Sequence, residues 1–412
     1  MIETMNRMPR PAAVAVLGIL YWTAHSMLRP LIGTRVIALG GSEAEASIAL
    51  AAFSIFPTAL AILIGAFTDR WGTRRLLVLG GALMVGGGAL LFVPDFLALI
   101  ASQVVIGLGT LACWVSLQTI ATRPMHAGEA RETRLARIAT FSLFVAFGQS
   151  VGPALGGVLQ SLGGHDLAFA AYVGLSVALT GSALGVVPAA VPQPATDRRP
   201  LLRSYRDAFA LLRNPTVLVA VLASFAALVI HDIRTGWQPI LFAGAGLSPW
   251  QIGVVLSVGA LSGFVARPFF TRLLRWLGAP VMVGLVLALG GVTAVLVVIA
   301  PGNMAFLLAV SAANGLAVGF MQPLSLSLLA EEVAPDRLGL ASGMRSMGNQ
   351  AALLASPAAF GLISAAASLS VAFVAVGGAA VVAGVGGGLT LSLVSRRAAG
   401  RGAVSEPVPV GS

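Results

Sequence analysis

Lysine is absent from this chain, cysteine occurs once, and charged residues of either sign make up only 10% of its 412 positions. Each shortage excludes something. Soluble domains carry about 25% charged residues, so a water-facing surface cannot be assembled here. Hydrocarbon is the solvent that fits a chain with 57% hydrophobic residues and a mean hydropathy of +0.93. The lone Cys113 rules out a disulfide within the chain and offers no metal-ligand spacing. There is no H-E-x-x-H, no pair of acids within an expected span and no Cys cluster. An enzyme, a metal and a cofactor are therefore not expected. Outside a central polar stretch, no segment is long enough for a soluble effector domain.

What is present is a series of long apolar runs. A bilayer-spanning helix needs about 20 mostly apolar residues. Runs free of Asp, Glu, Arg and His lie at 76–94, 96–122, 138–164, 167–196, 279–330 and 346–395. The last two each hold two helices, with Pro301-Gly302-Asn303 as the turn in the first. The expected spans are 11–36, 46–68, 76–94, 97–122, 137–160 and 167–190, then 214–243, 249–270, 278–300, 304–330, 340–364 and 369–394. The first run is too long, and too polar at His25 and Arg29, for a cleaved signal. The expected organisation is a bundle over 1–190, a basic linker over 191–213 and a second bundle over 214–412.

Arginine supplies all 25 basic residues and sets the orientation. With the N-terminus inside, 20 of them fall in cytoplasmic segments, Arg267 and Arg345 lie near cytoplasmic helix ends, and only Arg35 falls outside. Arg29 and Arg234 lie within spans. This asymmetry is what the positive-inside rule demands of an even number of spans. It predicts a multi-pass protein of a bacterial-type inner membrane with both termini cytoplasmic. The arginines are scattered and form no stripe, so nucleic acid is not an expected partner.

After the second span the chain reads Gly65-Ala-Phe-Thr-Asp69-Arg70-Trp71-Gly72-Thr73-Arg74-Arg75. In the fifth it reads Gly148-Gln-Ser-Val-Gly152-Pro153-Ala-Leu-Gly156-Gly157. These resemble the G-x-x-x-D-R-x-G-R-R loop and the G-x-x-x-G-P-x-x-G-G antiporter signature of the major facilitator superfamily. A degraded copy of the loop recurs at Arg272-Leu-Leu-Arg275-Trp276-Leu-Gly278, with Leu274 where the acid would stand. The resemblance covers essentially the whole chain. It implies an all-α membrane fold of twelve helices in two pseudo-symmetric six-helix bundles, working by alternating access. It implies that Asp69, Arg70, Arg74 and Arg75 belong to a conformational latch, and that the fifth helix seals a pivot between the halves, as in exporters. Many proton-coupled members carry an Arg in helix 4 four residues before a Gly. Here that place is Gln103, before Gly107.

Ionisable groups at mid-membrane depth are costly and usually functional. The expected set is Asp232, His231 and His25 as proton-coupling candidates, with Arg29 and Arg234 as anion-binding ones. Tyr21, His25 and Arg29 share one helix face, as do His231, Arg234 and Gln238. By depth they converge with Gln103 on one central site. Asp232 is first choice for a coupling proton; a static pair with Arg29 or Arg234 is the competing reading. Trp114, Gln118, Trp237, Asn314 and Gln322 are further lining candidates, while Arg267 and Arg345 are expected to reach the cytoplasmic interface. Two arginines against one acid favour an anionic or zwitterionic solute. The expected activity is proton-coupled export of a small amphipathic or anionic compound, with uptake of an organic anion as the alternative. Expected partners are that solute, protons and the lipid bilayer, with the chain acting as a monomer.

Overall fold

The computed structural model describes residues 11–122, 131–187, 206, 209–334 and 338–403. Among them every regular element is helical. In chain order they are α1 (Pro11–Ala38), α2 (Glu43–Trp71), α3 (Thr73–Leu90) and α4 (Phe96–Thr122). The run Arg131–Val186 is broken at Gly163 and Gly164, which divide it into α5 (131–162) and α6 (165–186). Then come α7 (Pro215–Gly244) and α8 (Pro249–Ala266). The run Phe270–Leu296 is broken at Gly278 into a short arm and α9 (279–296). α10 (Met304–Glu332), α11 (Leu338–Ala366) and α12 (Leu369–Ala403) complete the order.

Most boundaries follow from local chemistry. α3 stops at Leu90, short of the expected end, because Pro94 and Asp95 start the next helix. Asp95 Oδ2 accepts from the Ala98 N–H at 2.9 Å, capping α4. Asn214 does the same for α7, accepting from Thr216 N–H at 2.9 Å ahead of Pro215. Gly72 sits between α2 and α3 at φ 85°, ψ 145°, and Gly278 adopts φ 76°, ψ 158°. Only glycine holds that region without strain. The degraded repeat read from the sequence is thus the same backbone break made twice.

Seven helical runs among the described residues are long and apolar enough to cross a membrane, including Phe96–Thr122, Pro215–Gly244 and Met304–Glu332. α1, α3 and α11 fall outside that group; they carry His25 and Arg29, Arg74 and Arg75, and Arg345 and Asn349. The arginine topology names the two ends of the bundle: Gly40, Gly164 and Gly246 lie at the outer end and Gly72 at the inner.

Glycines let the helices touch. A Cβ on Gly148 would meet Ile19 O at 2.9 Å, one on Gly152 Thr23 O at 2.7 Å, and one on Gly156 Met27 Cγ at 2.6 Å. Those three residues of the helix 5 motif therefore seal α5 onto α1. Gly157 faces the other way, with Gly253 Cα of α8 at 3.1 Å from its would-be Cβ. Pro153 removes a helix donor, and Ala154 N–H next to it donates to Ser257 Oγ of α8 at 2.9 Å.

The described contacts between α1–α6 and α7–α12 gather in the middle and outer half. Trp250 N–H donates to Ser161 Oγ at 3.0 Å, and Thr58 Oγ1 donates to Gln350 O at 3.2 Å. Ser47 Oγ donates to Pro357 O. The apolar core is arranged accordingly. One cluster runs from α1 to α6 and on into Trp237, Phe242, Ile252, Leu307 and Phe360 of the second set. A separate cluster, with Val217, Met282, Leu324 and Ala341, fills the inner part of α7–α12.

The loop motif lies at the inner end of α2. The backbones of Gly65, Asp69 and Arg70 are helical there, but their side chains lie outside the described residues. Arg74 Nη2 donates to the Leu184 carbonyl at the end of α6 at 2.6 Å, and Arg75 is exposed. A cation at a helix C-terminus complements the helix dipole. Most of the expected 191–213 linker also lies outside the described residues.

Candidate functional site

The site begins with a break in α7. After Asp232 the helix widens into a π turn, Ile233–Trp237, in which Gln238 N–H bonds Ile233 O. Pro239 explains it: a proline has no N–H and its ring collides with the carbonyl four residues back. Such π turns recur at functional positions. Gly33 of α1 packs against this segment, its would-be Cβ 3.0 Å from Ile240 Cγ1 and 3.2 Å from Gly236 O.

At this contact Arg29 and Asp232 meet. Counting about 1.5 Å per residue, Arg29 lies about 27 Å from the start of α1 and Asp232 about 26 Å from the start of α7. Equal depth brings them together across the two halves. Arg29 Nε donates to Asp232 Oδ1 at 2.8 Å, and Arg29 Nη2 donates to the same oxygen. The Asp232 side chain is 0% exposed and that of Arg29 10%. Asp232 is the only buried acid among the described residues. Its second oxygen, Oδ2, is buried without a hydrogen-bond partner. Arg29 also lies over the Phe53 ring, 5.6 Å from its centroid.

The inner side of the pair is aromatic. His25 stacks on Tyr21 at 5.8 Å, and Tyr21 on Trp114 at 5.9 Å. Tyr21 Oη donates to Thr110 O at 3.0 Å, which fixes the middle ring. His231 lies within electrostatic range of Arg29, His25 and Arg234. Gln103 is buried, with Nε2 donating to Ser102 Oγ at 3.4 Å. It shares with His25, Arg29 and Tyr172 a void of about 10 Å³, room for one water molecule at most. On the outer side of the pair a cavity of about 760 Å³ is lined by Met27, Leu31, Thr34, Gln160, His165 and Ile240, among others. His165 was not singled out from the sequence. Its Nε2 lies 3.2 Å from Thr34 Oγ1 and 3.0 Å from Gln160 Nε2. It stands at the Gly163–Gly164 break, where depth counting sees only a loop.

The remaining expected residues are dispersed. Arg234 is two residues beyond Asp232 and so points away from it. It is 5% exposed and donates from Nη1 to Leu256 O at 3.0 Å, inside α7–α10. Trp237 is fully buried and stacks on Phe360 at 5.0 Å. Gln238 is buried in the same segment. Asn314 is buried too, donating from Nδ2 to Thr293 Oγ1 at 2.9 Å. Gln118 and Gln322 are exposed on the surface of their helices. Arg345 does not reach a helix end. It is 8% exposed and donates from Nη1 to Ser224 Oγ at 3.3 Å.

Comparison with known proteins fits this architecture. The solved nucleoside transporter NupG superposes with a TM-score of 0.74 at 15% identity, covering 92% of this chain and 98% of that one. The peptide transporter POT in complex with sulfate gives a TM-score of 0.72 at 18% identity, covering 95% and 97%. A POT family transporter in complex with 5-aminolevulinic acid gives 0.71 at 13%, covering 95% and 98%. At these identities the likeness is one of fold. No curated relative matches the sequence. The family model for the Major Facilitator Superfamily matches residues 14–306, so the chain is a multi-pass membrane transporter that belongs to the major facilitator superfamily.

Proposed function

We propose that the protein is a proton-coupled exporter of a small amphipathic compound bearing an anionic or zwitterionic group, with Asp232 as the coupling carboxylate and Arg29 as the anion contact. The observation that carries this reading is the unequal use of the Asp232 oxygens. Oδ1 takes both guanidinium donors, while Oδ2 is buried and unpartnered. A proton on Oδ2 cancels the charge that holds Arg29. Arg29 is then a buried cation without a counter-ion, a costly state that an anionic solute relieves. The rings of His25, Tyr21 and Trp114 offer an apolar wall on the inner side. Binding of solute and binding of Asp232 to Arg29 then exclude each other, which is the requirement for coupled exchange. His231 and His25 stand beside the pair as further proton carriers.

The contacts between halves lie in the middle and outer half, which supports reading this as a conformer closed outside across the α5–α8 and α2–α11 contacts, with the cavity of about 760 Å³ as a pocket at its outer face. In this reading Asp69, Arg70 and the Gly72 turn latch the opposite closure, and α5 packs against α8 at the outer edge of the pivot, a contact made when the outside is closed. The membrane is a bacterial-type inner membrane with both termini cytoplasmic, the spans number twelve, and the working unit is a monomer. Gln103 borders the path beside His25 and Arg29. Uptake of an organic anion uses the same pair with the reverse direction of flow.

The test is transport in proteoliposomes under an imposed pH gradient, with a panel of organic anions, dipeptides, nucleosides and neutral analogues. Asp232→Asn is expected to abolish gradient-driven accumulation while leaving solute exchange without a gradient. Arg29→Ala is expected to weaken anionic solutes more than neutral ones. Undiminished gradient-driven accumulation in Asp232→Asn removes this carboxylate from the mechanism.

A further inference from the structure

Among the buried arginines of the described residues, Arg234 and Arg345 carry no described counter-charge. Ion pairs among the described residues join Arg29 to Asp232 and Arg35 to Asp166. Arg234 and Arg345 have neither. A buried cation left unpaired is strongly unfavourable, so each marks a place where an anion is missing or where the protein has found substitutes. Arg234 is enclosed: its Nη1 donates to the Leu256 carbonyl, and the glycine at 259 leaves just enough room for the guanidinium beside Ser311. Arg345 shares with Arg234 a buried Nε without a partner, but it is less enclosed: its neighbours on α11, Ser346 and Asn349, are exposed and half-buried.

The hydrogen bonds around Arg345 have a fixed sense. A guanidinium only donates, so Ser224 Oγ accepts from Arg345 Nη1 at 3.3 Å. The Ser224 proton is therefore directed to Asn349 Oδ1, 2.7 Å away. That bond orients the Asn349 amide and leaves its NH₂ group without a described protein partner. Arg345 Nε and Asn349 Nδ2 are thus two donors in one cluster, both lacking acceptors. Counting about 1.5 Å per residue, Arg345 and Asn349 lie about 10 and 16 Å from the inner end of α11, and Ser224 about 14 Å from that of α7. The Arg29–Asp232 pair is deeper, at about 26 Å.

We propose that Arg345, Ser224 and Asn349 form a second oxyanion-binding station, on the inner side of the central pair, for a carboxylate, sulfate or phosphate group. The group belongs either to the solute on its way between the cytoplasm and Arg29 or to the headgroup of an anionic lipid. The station does not depend on proton coupling at Asp232.

The test uses the full chain purified in neutral detergent, with thermal unfolding followed by tryptophan fluorescence. The probe is sodium sulfate against sodium chloride at matched ionic strength. The wild type is expected to show a saturable rise in Tm with sulfate. Arg345→Gln is expected to lose that rise. Asn349→Asp guards against an Arg345 variant that does not fold, since it supplies a built-in counter-charge beside Arg345. It should unfold at a higher temperature than wild type in sulfate-free buffer and no longer respond to sulfate. Phosphatidylglycerol added to the micelles separates the sources. If it alone raises Tm, with the same dependence on Arg345 and Asn349, the station holds a lipid headgroup; if sulfate does so, it accepts a free oxyanion. No rise with either probe overturns the proposal. So does a sulfate response that persists in Asn349→Asp or that is lost in Arg29→Gln instead, which assigns the anion to the central pair.

Discussion

The contact between α5 and α8 gives a sharp prediction, because glycine is met by backbone on the other side. A Cβ on Gly253 would lie 2.5 Å from Pro153 O, 3.1 Å from Ala154 Cα and 3.2 Å from Gly157 Cα. Carbon atoms rest at roughly 3.5–4.0 Å, so Gly253→Ala needs the two helices to separate by about 1 Å at this point. No flexible side chain is available to yield. Overpacking of this kind costs about 1–3 kcal/mol, and since both partners lie in opposite halves, the cost falls on the outer-closed conformer. A loss of that size multiplies the outer-open population by roughly 5 to 150, at about 1.4 kcal/mol per factor of ten. Gly174 on α6 is the internal control, with nothing within 4 Å of its would-be Cβ. The assay is a distance distribution between spin labels at Leu162→Cys and Trp250→Cys, near the Trp250–Ser161 hydrogen bond, in a Cys113→Ser background. Gly253→Ala should enlarge the long-distance component; Gly174→Ala should not. An unchanged distribution in Gly253→Ala refutes the claim that this glycine contact holds the outer seal.

The Arg29–Asp232 pair should behave as a coupled unit. Removing either partner from such a buried pair costs about 3–5 kcal/mol, so Arg29→Ala and Asp232→Ala should each lower stability in detergent unfolding. The double variant should cost less than the sum by more than about 0.5 kcal/mol, and strict additivity would show the two side chains to be independent. Gly278→Ala should lose about 1–3 kcal/mol through backbone strain alone, since nothing but Pro280 Cδ at 3.8 Å lies near its would-be Cβ. Gly72→Ala should lose a similar amount; a neutral effect on the melting temperature at both positions would contradict the strained turn assigned to them.

Much of the fold was legible because a bilayer imposes a length rule and arginine imposes a side. The repeated loop could be read twice, at Gly72 and at Gly278, because both turns need the same positive φ. Depth counting brought Arg29, His25 and Asp232 to one level, and the structure places them together there. Depth alone left open which arginine would take Asp232. Helix periodicity already turns Arg234, two residues on, away from Asp232; the π turn at Ile233–Trp237, a local response to Pro239, is what the apolar pattern does not show. Arg345 was read as reaching a helix end because a lone Arg near an interface usually snorkels. Its inward course depends on Ser224, a residue of another helix and of no distinctive pattern. Trp237 went to the core for a similar reason: Phe360 and Phe373 await it there.

The most direct test of the coupling role of Asp232 is infrared difference spectroscopy of the reconstituted protein between alkaline and acidic buffer, following the C=O stretch of protonated carboxyl groups. A band that appears on acidification, sharpens when an anionic solute displaces Asp232 from Arg29, and vanishes in Asp232→Asn is the predicted result. A band of unchanged intensity in Asp232→Asn would contradict it, because the proton would then reside on another group.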